Sequence, residues 1–355
     1  MDYSTTTDEQ DTSSLERRVL HITEAYAGGV ATAITDYVRN SPQYKHFLAY
    51  SDRGEEVDPP SIFSATFKLP TGHVTRIQSL KKLLSNIDVE VIHAHSSFAG
   101  VYARIASPYP RRHVVYTPHG YSFIRRDISH WQRFLYFGIE CILAPRTAIY
   151  ACCSPYECEL TNKFPFTDAR TILVPNVANG MNTGSTFTGE HPHICMIGRL
   201  TAAKDPTFFR DCWLEVQKVF PDATATWYGD GDSCYRDILL ASGVRVTGWW
   251  SIEHIQQDMA ALPTIYLHSS AWEGYPISLL EVACWGIPII VRNIPAFMGS
   301  NIPVLINSPD EICDSISLFS RPGYANEVAD TILNGHSDGQ QQAALTRAYG
   351  LVGRQ

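Results

Sequence analysis

The chain has 355 residues, 45% of them hydrophobic and 18% charged, a composition that suits a folded protein of two domains. A net charge of −8 argues against general nucleic-acid binding, so no nucleic-acid partner is expected. Nine cysteines without a Cys-x-x-Cys pair read as reduced, mostly buried thiols of a cytoplasmic protein.

Residues 1–14 are polar and acidic and read as a disordered tail, neither signal nor anchor. A strand is expected over 17–23 and a helix over 30–39, joined by a turn that holds Gly28 and Gly29. Strand, glycine turn and helix open a nucleotide-type α/β unit, and two adjacent glycines allow a ligand close to the backbone. The turn lacks a full Gly-x-Gly-x-x-Gly, so a dinucleotide is not supported. Strands over 46–51, 62–69, 89–95, 112–117, 147–153 and 171–174 alternate with helices over 74–85, 98–105, 131–143 and 155–163. That alternation gives one doubly wound domain over 15–178. His93-Ala-His95 has zinc-like spacing, but no cysteine or acid cluster accompanies it, so no metal is expected there. On the helix over 131–143, Trp131, Phe134 and Phe137 read chiefly as core residues, with an apolar membrane contact as the alternative.

Residues 179–192, rich in Gly, Thr and Asn, read as a linker. The pattern then restarts, with strands over 193–197, 224–228, 244–247, 263–267 and 289–291 and helices over 206–220 and 252–261. This second half is placed at 193–320, and helices over 321–355 are expected to pack back toward the first. Two α/β halves imply a cleft between them, the usual place for a ligand. The longest apolar region, 277–291, is broken by Glu281, Gly286 and Pro288, so it is no membrane span.

That same region organises the second half. Its helix is expected to begin at Pro276, whose missing N–H costs nothing at a first helical position. A helix N-terminus at the carboxyl edge of a parallel sheet favours an anion. Glu273 precedes it and Glu281 follows it, so two acids bracket a phosphate position. Carboxylates accept hydrogen bonds from sugar hydroxyls, and the combination suits a nucleotide sugar.

The segment Glu273-Gly-Tyr-Pro-Ile-Ser-Leu-Leu-Glu281 resembles the two-glutamate signature of retaining GT-B glycosyltransferases, glycosyltransferase family 4 in particular. Five other segments resemble that family's, in its order: Ala27-Gly28-Gly29, Thr117-Pro118-His119-Gly120, Val174-Pro175-Asn176, Gly198-Arg199-Leu200 with Lys204, and Gly229-Asp230-Gly231. Where the family often has a glycine pair and an acid, this chain has Asn293-Ile-Pro-Ala-Phe-Met-Gly299.

The resemblance implies the GT-B fold, two Rossmann-like doubly wound domains facing each other across a cleft. It implies metal-independent transfer from a nucleotide-diphosphate sugar to a glycan, lipid-linked or small-molecule acceptor, with no cofactor. Surface polysaccharide or glycoconjugate assembly is the implied setting. Arg199 and Lys204 would bind the diphosphate and Glu281 the ribose hydroxyls. Glu273, with the amides of Gly274, Tyr275 and Ile277, would face the donor sugar or its phosphate. His119 would contact the sugar, and Gly28 and Gly29 would close over the phosphate. The base would sit near Gly229-Asp230-Gly231 and Val246-Thr247-Gly248, and Gly198 would also bind the donor. Asp230-Gly-Asp232 mimics the metal motif of another glycosyltransferase fold, but it stands where the GT-B glycine turn does. A GT-B nucleotide-sugar epimerase and a non-catalytic GT-B partner subunit are the competing readings.

Residues 15–180 carry 18 Lys/Arg against 14 Asp/Glu. Lys81, Lys82, Arg111, Arg112, Arg125, Arg126 and Arg133 suggest peripheral contact with an anionic membrane, at the inner face of the plasma membrane.

Overall fold

The structure, a computed structural model, describes residues 17–51, 59–107, 113–165, 169–178, 180–184, 187 and 189–352. The proposed acidic tail and Arg111 and Arg112 lie outside them. The first half is a parallel sheet of β1 (Arg18–Thr23), β2 (Lys45–Tyr50), β3 (Ala65–Lys68), β4 (Val91–His95), β5 (Val114–Thr117), β6 (Ile149–Cys152) and β7 (Arg170–Leu173). They lie in the order β3-β2-β1-β4-β5-β6-β7. Helices α1 (Gly28–Arg39), α2 (His73–Asn86), α3 (Ser97–Ala106), α4 (His130–Leu143) and α5 (Pro155–Thr161) connect them.

The second half repeats the plan with β8 (His193–Ile197), β9 (Thr224–Tyr228), β10 (Arg245–Val246), β11 (Thr264–His268), β12 (Ile289–Arg292) and β13 (Leu305–Ile306). Its order is β10-β9-β8-β11-β12-β13, again parallel. The connecting helices are α6 (Pro206–Val219), α7 (Ser233–Ala241), α8 (Ile252–Ala260) and α9 (Ile277–Cys284). After β13 come α10 (Ile312–Leu318), α11 (Tyr324–Leu333) and α12 (Asp338–Leu351). The two doubly wound sheets are the architecture the sequence predicts.

Each sheet winds outward from its first strand, so β1 lies beside β4 and β8 beside β11. Loops leaving those neighbours run to opposite faces and open a crevice at the carboxyl ends of the strands. Helices on both faces keep the strands dry: every residue of β4, β5, β6 and β11 is buried.

Three details depart from the sequence reading. Helix α7 was not expected: Leu239 is its one buried residue, so the apolar period that reveals a helix is missing. The two-residue β13 was also not expected. Pro276 stands one place outside α9 as its N-cap, with extended φ −77° and ψ 123°.

Helix α12 lies on the first sheet. Leu345, Ala348, Tyr349 and Val352 share one buried cluster with Val19, Val91, Val115 and Ile149. The Arg17 guanidinium donates to the carbonyls of Tyr349 and Val352 at 3.1 and 3.3 Å. Asn176 ties the parts together: its Nδ2 donates to the Tyr275 carbonyl at 2.8 Å, and its own carbonyl lies 2.8 Å from His336 Nδ1.

Candidate active site between the two sheets

Where β8 and β11 part, two loops interlock. In the loop after β8 the amides of Lys204 and Asp205 both donate to the Thr201 carbonyl, at 3.1 and 3.2 Å. From the loop after β11, Ser269 Oγ donates to the Lys204 carbonyl at 2.7 Å and the Ala271 amide to the Ala203 carbonyl at 2.8 Å. These bonds fix the root of Lys204. Its Nζ then reaches Glu273 Oε1 at 2.5 Å, an oxygen that also accepts from Ser270 Oγ at 2.8 Å. The two side chains are only 19% and 17% exposed. Arg199 is exposed, its guanidinium 6.0 Å from the centre of the Trp249 ring. Lys204 therefore turns to Glu273, while Arg199 lies beside the loop after β10.

Glycines let the neighbouring turn close. A Cβ on Gly229 (φ +140°) would overlap the Gly198 carbonyl oxygen, and one on Gly231 would stand 2.5 Å from that of Leu200. Asp230 accepts from the Gly231 amide at 2.6 Å and pairs with Arg236. Asp232 caps α7 by accepting from the Cys234 amide at 2.8 Å. Both acids thus fold their own turn. Thr247 Oγ1 donates to the Gly248 carbonyl at 2.9 Å.

Glu281 lies in the second turn of α9, half-buried. Burial, with the nearby charges of Asp36 and Glu253, pushes its carboxyl up to about 7. Burial likewise raises Asp36, on α1, to about 6 against the pull of Arg39. Helix α1 starts at Gly28 with no side-chain cap and no acid in its first turn. Gly28 and Gly29 are exposed, and a Cβ on either would meet nothing within 4 Å. That helix end is open to an anion.

The halves touch at Gly120 and Gly274. A Cβ on Gly274 would stand 2.8 Å from the Gly120 nitrogen and 2.8 Å from the His119 carbonyl carbon. Gly120, at φ +90°, donates its amide to Glu157 Oε1 at 2.5 Å, while Glu157 Oε2 accepts from the Cys153 amide at 2.9 Å. Burial raises the Glu157 carboxyl, and these two amides oppose the rise. Sequence reasoning missed Glu157. Its one signal, Ser154-Pro-x-Glu157, marks a helix start, and the Ser154 hydroxyl does cap α5.

His119 has φ +51°, and burial lowers its pKa to about 4, so the ring is neutral near pH 7. Tyr275 and Ile277 are buried, and the Tyr275 ring stacks on His336 at 4.4 Å. His21, His93 and His95 bring ring nitrogens within 4.8 Å of one another. Both nitrogens of His93 are engaged, by Tyr349 Oη and Thr117 Oγ1 at 2.8 Å each. Those of His21 face His95 and His46 at 3.0 Å. Each of these four nitrogens thus has a hydrogen-bond partner within the protein.

Residues 27–179 match the family described as Glycosyltransferase Family 4, and residues 191–320 the one described as Glycosyl transferases group 1. The two matches span β2 to β13 and the loops that carry His119, Lys204 and Glu273. The chain belongs to the group 1, family 4-like glycosyltransferases.

This glycosyltransferase is 26% identical to an uncharacterized 41.2 kDa protein in the cps region of Klebsiella pneumoniae, over 88% of this chain and 89% of that one. It is also 26% identical to the UDP-Gal:alpha-D-GlcNAc-diphosphoundecaprenol alpha-1,3-galactosyltransferase of Escherichia coli, over 61% of each. Among solved structures it resembles the sucrose-phosphate synthase of Thermosynechococcus elongatus, with TM-score 0.71, 13% identity and 94% and 97% of the two chains covered. It also resembles Anabaena HepE in complex with UDP and glucose, with TM-score 0.63, 14% identity and 95% and 96% covered. These likenesses confirm the GT-B fold.

Proposed function

We propose that this glycosyltransferase moves a hexose from a nucleoside diphosphate hexose to a hydroxyl of a glycan or glycolipid acceptor, with retention and without a divalent metal. Its setting is the assembly of surface polysaccharide or glycoconjugate. The observation that carries the reading is the Lys204–Glu273 pair at the β8/β11 switch point, beside the Gly120–Gly274 contact. As the bond from sugar to diphosphate breaks, negative charge grows on the leaving oxygen. Lys204 and the exposed Arg199 are the cations that meet it, and interactions realised only then raise turnover. The open end of α1 adds amide donors from the other half. Two cations and a helix end would do the work a metal does elsewhere. Glu281 accepts the ribose hydroxyls, and His119 meets the sugar.

Retention rests on the likeness of the 273–281 segment to the retaining signature. The diphosphate donor is supported by the UDP-Gal transferase relative and by the neighbour that holds UDP and glucose. The first relative's cps region and the second's diphosphoundecaprenol acceptor support the setting.

Helix α4 supports a peripheral membrane contact by a route the sequence misjudged. Trp131, Phe134, Leu135 and Ile142 are exposed, by as much as 77% at Ile142, while Phe137 packs inward against Phe123 and Phe164, with Tyr136, Cys141 and Leu143 on the inner side as well. Arg125 pairs with Asp127, and Arg133 donates to the Phe123 carbonyl. The contact therefore rests on the apolar stripe, with Arg126, Lys81 and Lys82 exposed on the same half.

The experiment is incubation of the purified enzyme with UDP-, GDP- and ADP-hexoses, a lipid-linked glycan acceptor and EDTA. Product of retained anomeric configuration is expected. An inverted product, or one formed only when Mg²⁺ or Mn²⁺ is restored, overturns the proposal.

A further inference from the structure

Four imidazoles form a file through the core of the first half. His119 Nε2 lies 3.2 Å from His95 Nδ1, His95 Nε2 lies 3.0 Å from His21 Nδ1, and His21 Nε2 lies 3.0 Å from His46 Nδ1. His46 Nε2 ends the file, 3.0 Å from the Ser41 carbonyl oxygen and 3.2 Å from Ser41 Oγ. His21, His46 and His95 are buried.

The last contact sets every proton in the file. A carbonyl oxygen can only accept, so His46 Nε2 carries the hydrogen. The Ser41 hydroxyl donates to the Tyr37 carbonyl at 2.5 Å, so its oxygen is also an acceptor for that N–H. His46 Nδ1 is then bare and accepts from His21 Nε2–H. His21 Nδ1 accepts from His95 Nε2–H, and His95 Nδ1 accepts from His119 Nε2–H. The opposite arrangement would set a bare nitrogen against a carbonyl oxygen in a dry core, which leaves two acceptors without a proton. Burial lowers the pKa of all four rings, so each holds a single proton.

We propose that His21, His46 and His95, anchored on Ser41, are positioning residues that lock His119 in its Nε2–H tautomer. The lock leaves His119 Nδ1 as an acceptor, at the meeting of the halves, for a hydroxyl of the donor sugar or the acceptor. The hydroxyl's identity rests on the transferase reading; the tautomer does not.

Ring-nitrogen NMR of the full chain labelled with ¹⁵N-histidine tests the lock without turnover. The expected spectrum shows protonated Nε2 and bare Nδ1 at His119, assigned by its loss in His119→Asn. His46→Leu removes the anchor and should give averaged His119 shifts, with kcat lowered about tenfold, one hydrogen bond's worth, at unchanged donor KM. His46→Gln, whose amide can donate to Ser41 and accept from His21, should restore both. A protonated Nδ1 or averaged nitrogens in the wild type overturns the proposal even if His46→Leu fails to fold. Equal losses in the Leu and Gln variants overturn it too, as does displacement of the His21 and His95 signals by Zn²⁺ alone. A correct tautomer in an enzyme that turns over no nucleotide sugar leaves the lock standing and removes the transferase reading.

Discussion

Lys204 and Glu273 hold each other in the cleft, so removing either leaves a largely buried charge without its partner. Lys204→Ala should therefore lower both the melting temperature and turnover, the latter by about 10²–10³-fold. Adding Glu273→Gln should recover much of the lost melting temperature but none of the turnover. Arg199→Ala, at an exposed site, should cut turnover with melting unchanged. Near-normal turnover with a folded spectrum in either single variant would remove these cations from the diphosphate. Glu281 gives a pH test. Its carboxyl titrates at about 7, above the ordinary range, so its ionisation works against folding as pH rises from about 4.5 through 7. Ribose hydroxyls donate to the ionised form and pull the pKa back down. Nucleotide binding at pH 6.5 should then release a proton, seen by calorimetry in buffers of different ionisation enthalpy, and Glu281→Gln should not. Proton uptake on binding would contradict the ribose role. The Glu273 and Glu281 pattern could be read from the sequence because both acids lie close to one helix N-terminus, one before it and one in the second turn. Glu157 was not, because its bond to Gly120 spans 37 residues and exists only once β5 and β6 are neighbours. The histidine file hid for the same reason: its members come from four separate segments, and the one local sign, the zinc-like spacing of His93-x-His95, includes only one of them.

Among the elements, strands were legible because a parallel sheet covered on both faces leaves long apolar runs in the sequence. Helix α4 misled because its aromatic residues divide between faces, and composition alone does not say which face has a neighbour. Replacing both Trp131 and Phe134 by Ala should weaken binding to anionic vesicles at least about 30-fold at low salt, as about 1–2 kcal/mol is lost per buried aromatic ring. Equal pelleting of variant and parent would leave the stripe without a membrane role. The loop contact makes a second element-scale test. A methyl at Gly274 meets two backbone atoms of the opposite loop, which cannot yield as a flexible side chain would. Gly274→Ala should hold the halves apart and lower kcat about 10²-fold, as a displacement of about 1 Å can. Normal kcat in a folded Gly274→Ala would mean that this contact is not part of the working cleft.

At the scale of the molecule, the chain crosses from the first sheet to the second and returns by α12, so Asn176 and His336 tie the crossings to the Tyr275 backbone and ring. The cleft is thus bounded by loops from both sheets, with both chain crossings tied together at Tyr275. Occupancy of that cleft by a nucleoside diphosphate sugar is the central claim, and thermal unfolding of the purified enzyme with UDP-, GDP- and ADP-hexoses tests it most directly. One donor at a hundredfold its Kd should add about 2.7 kcal/mol of stability. The gain should survive EDTA and disappear in Lys204→Ala. Unfolding that no nucleotide sugar moves, or a gain that Lys204→Ala keeps in full, would contradict the claim.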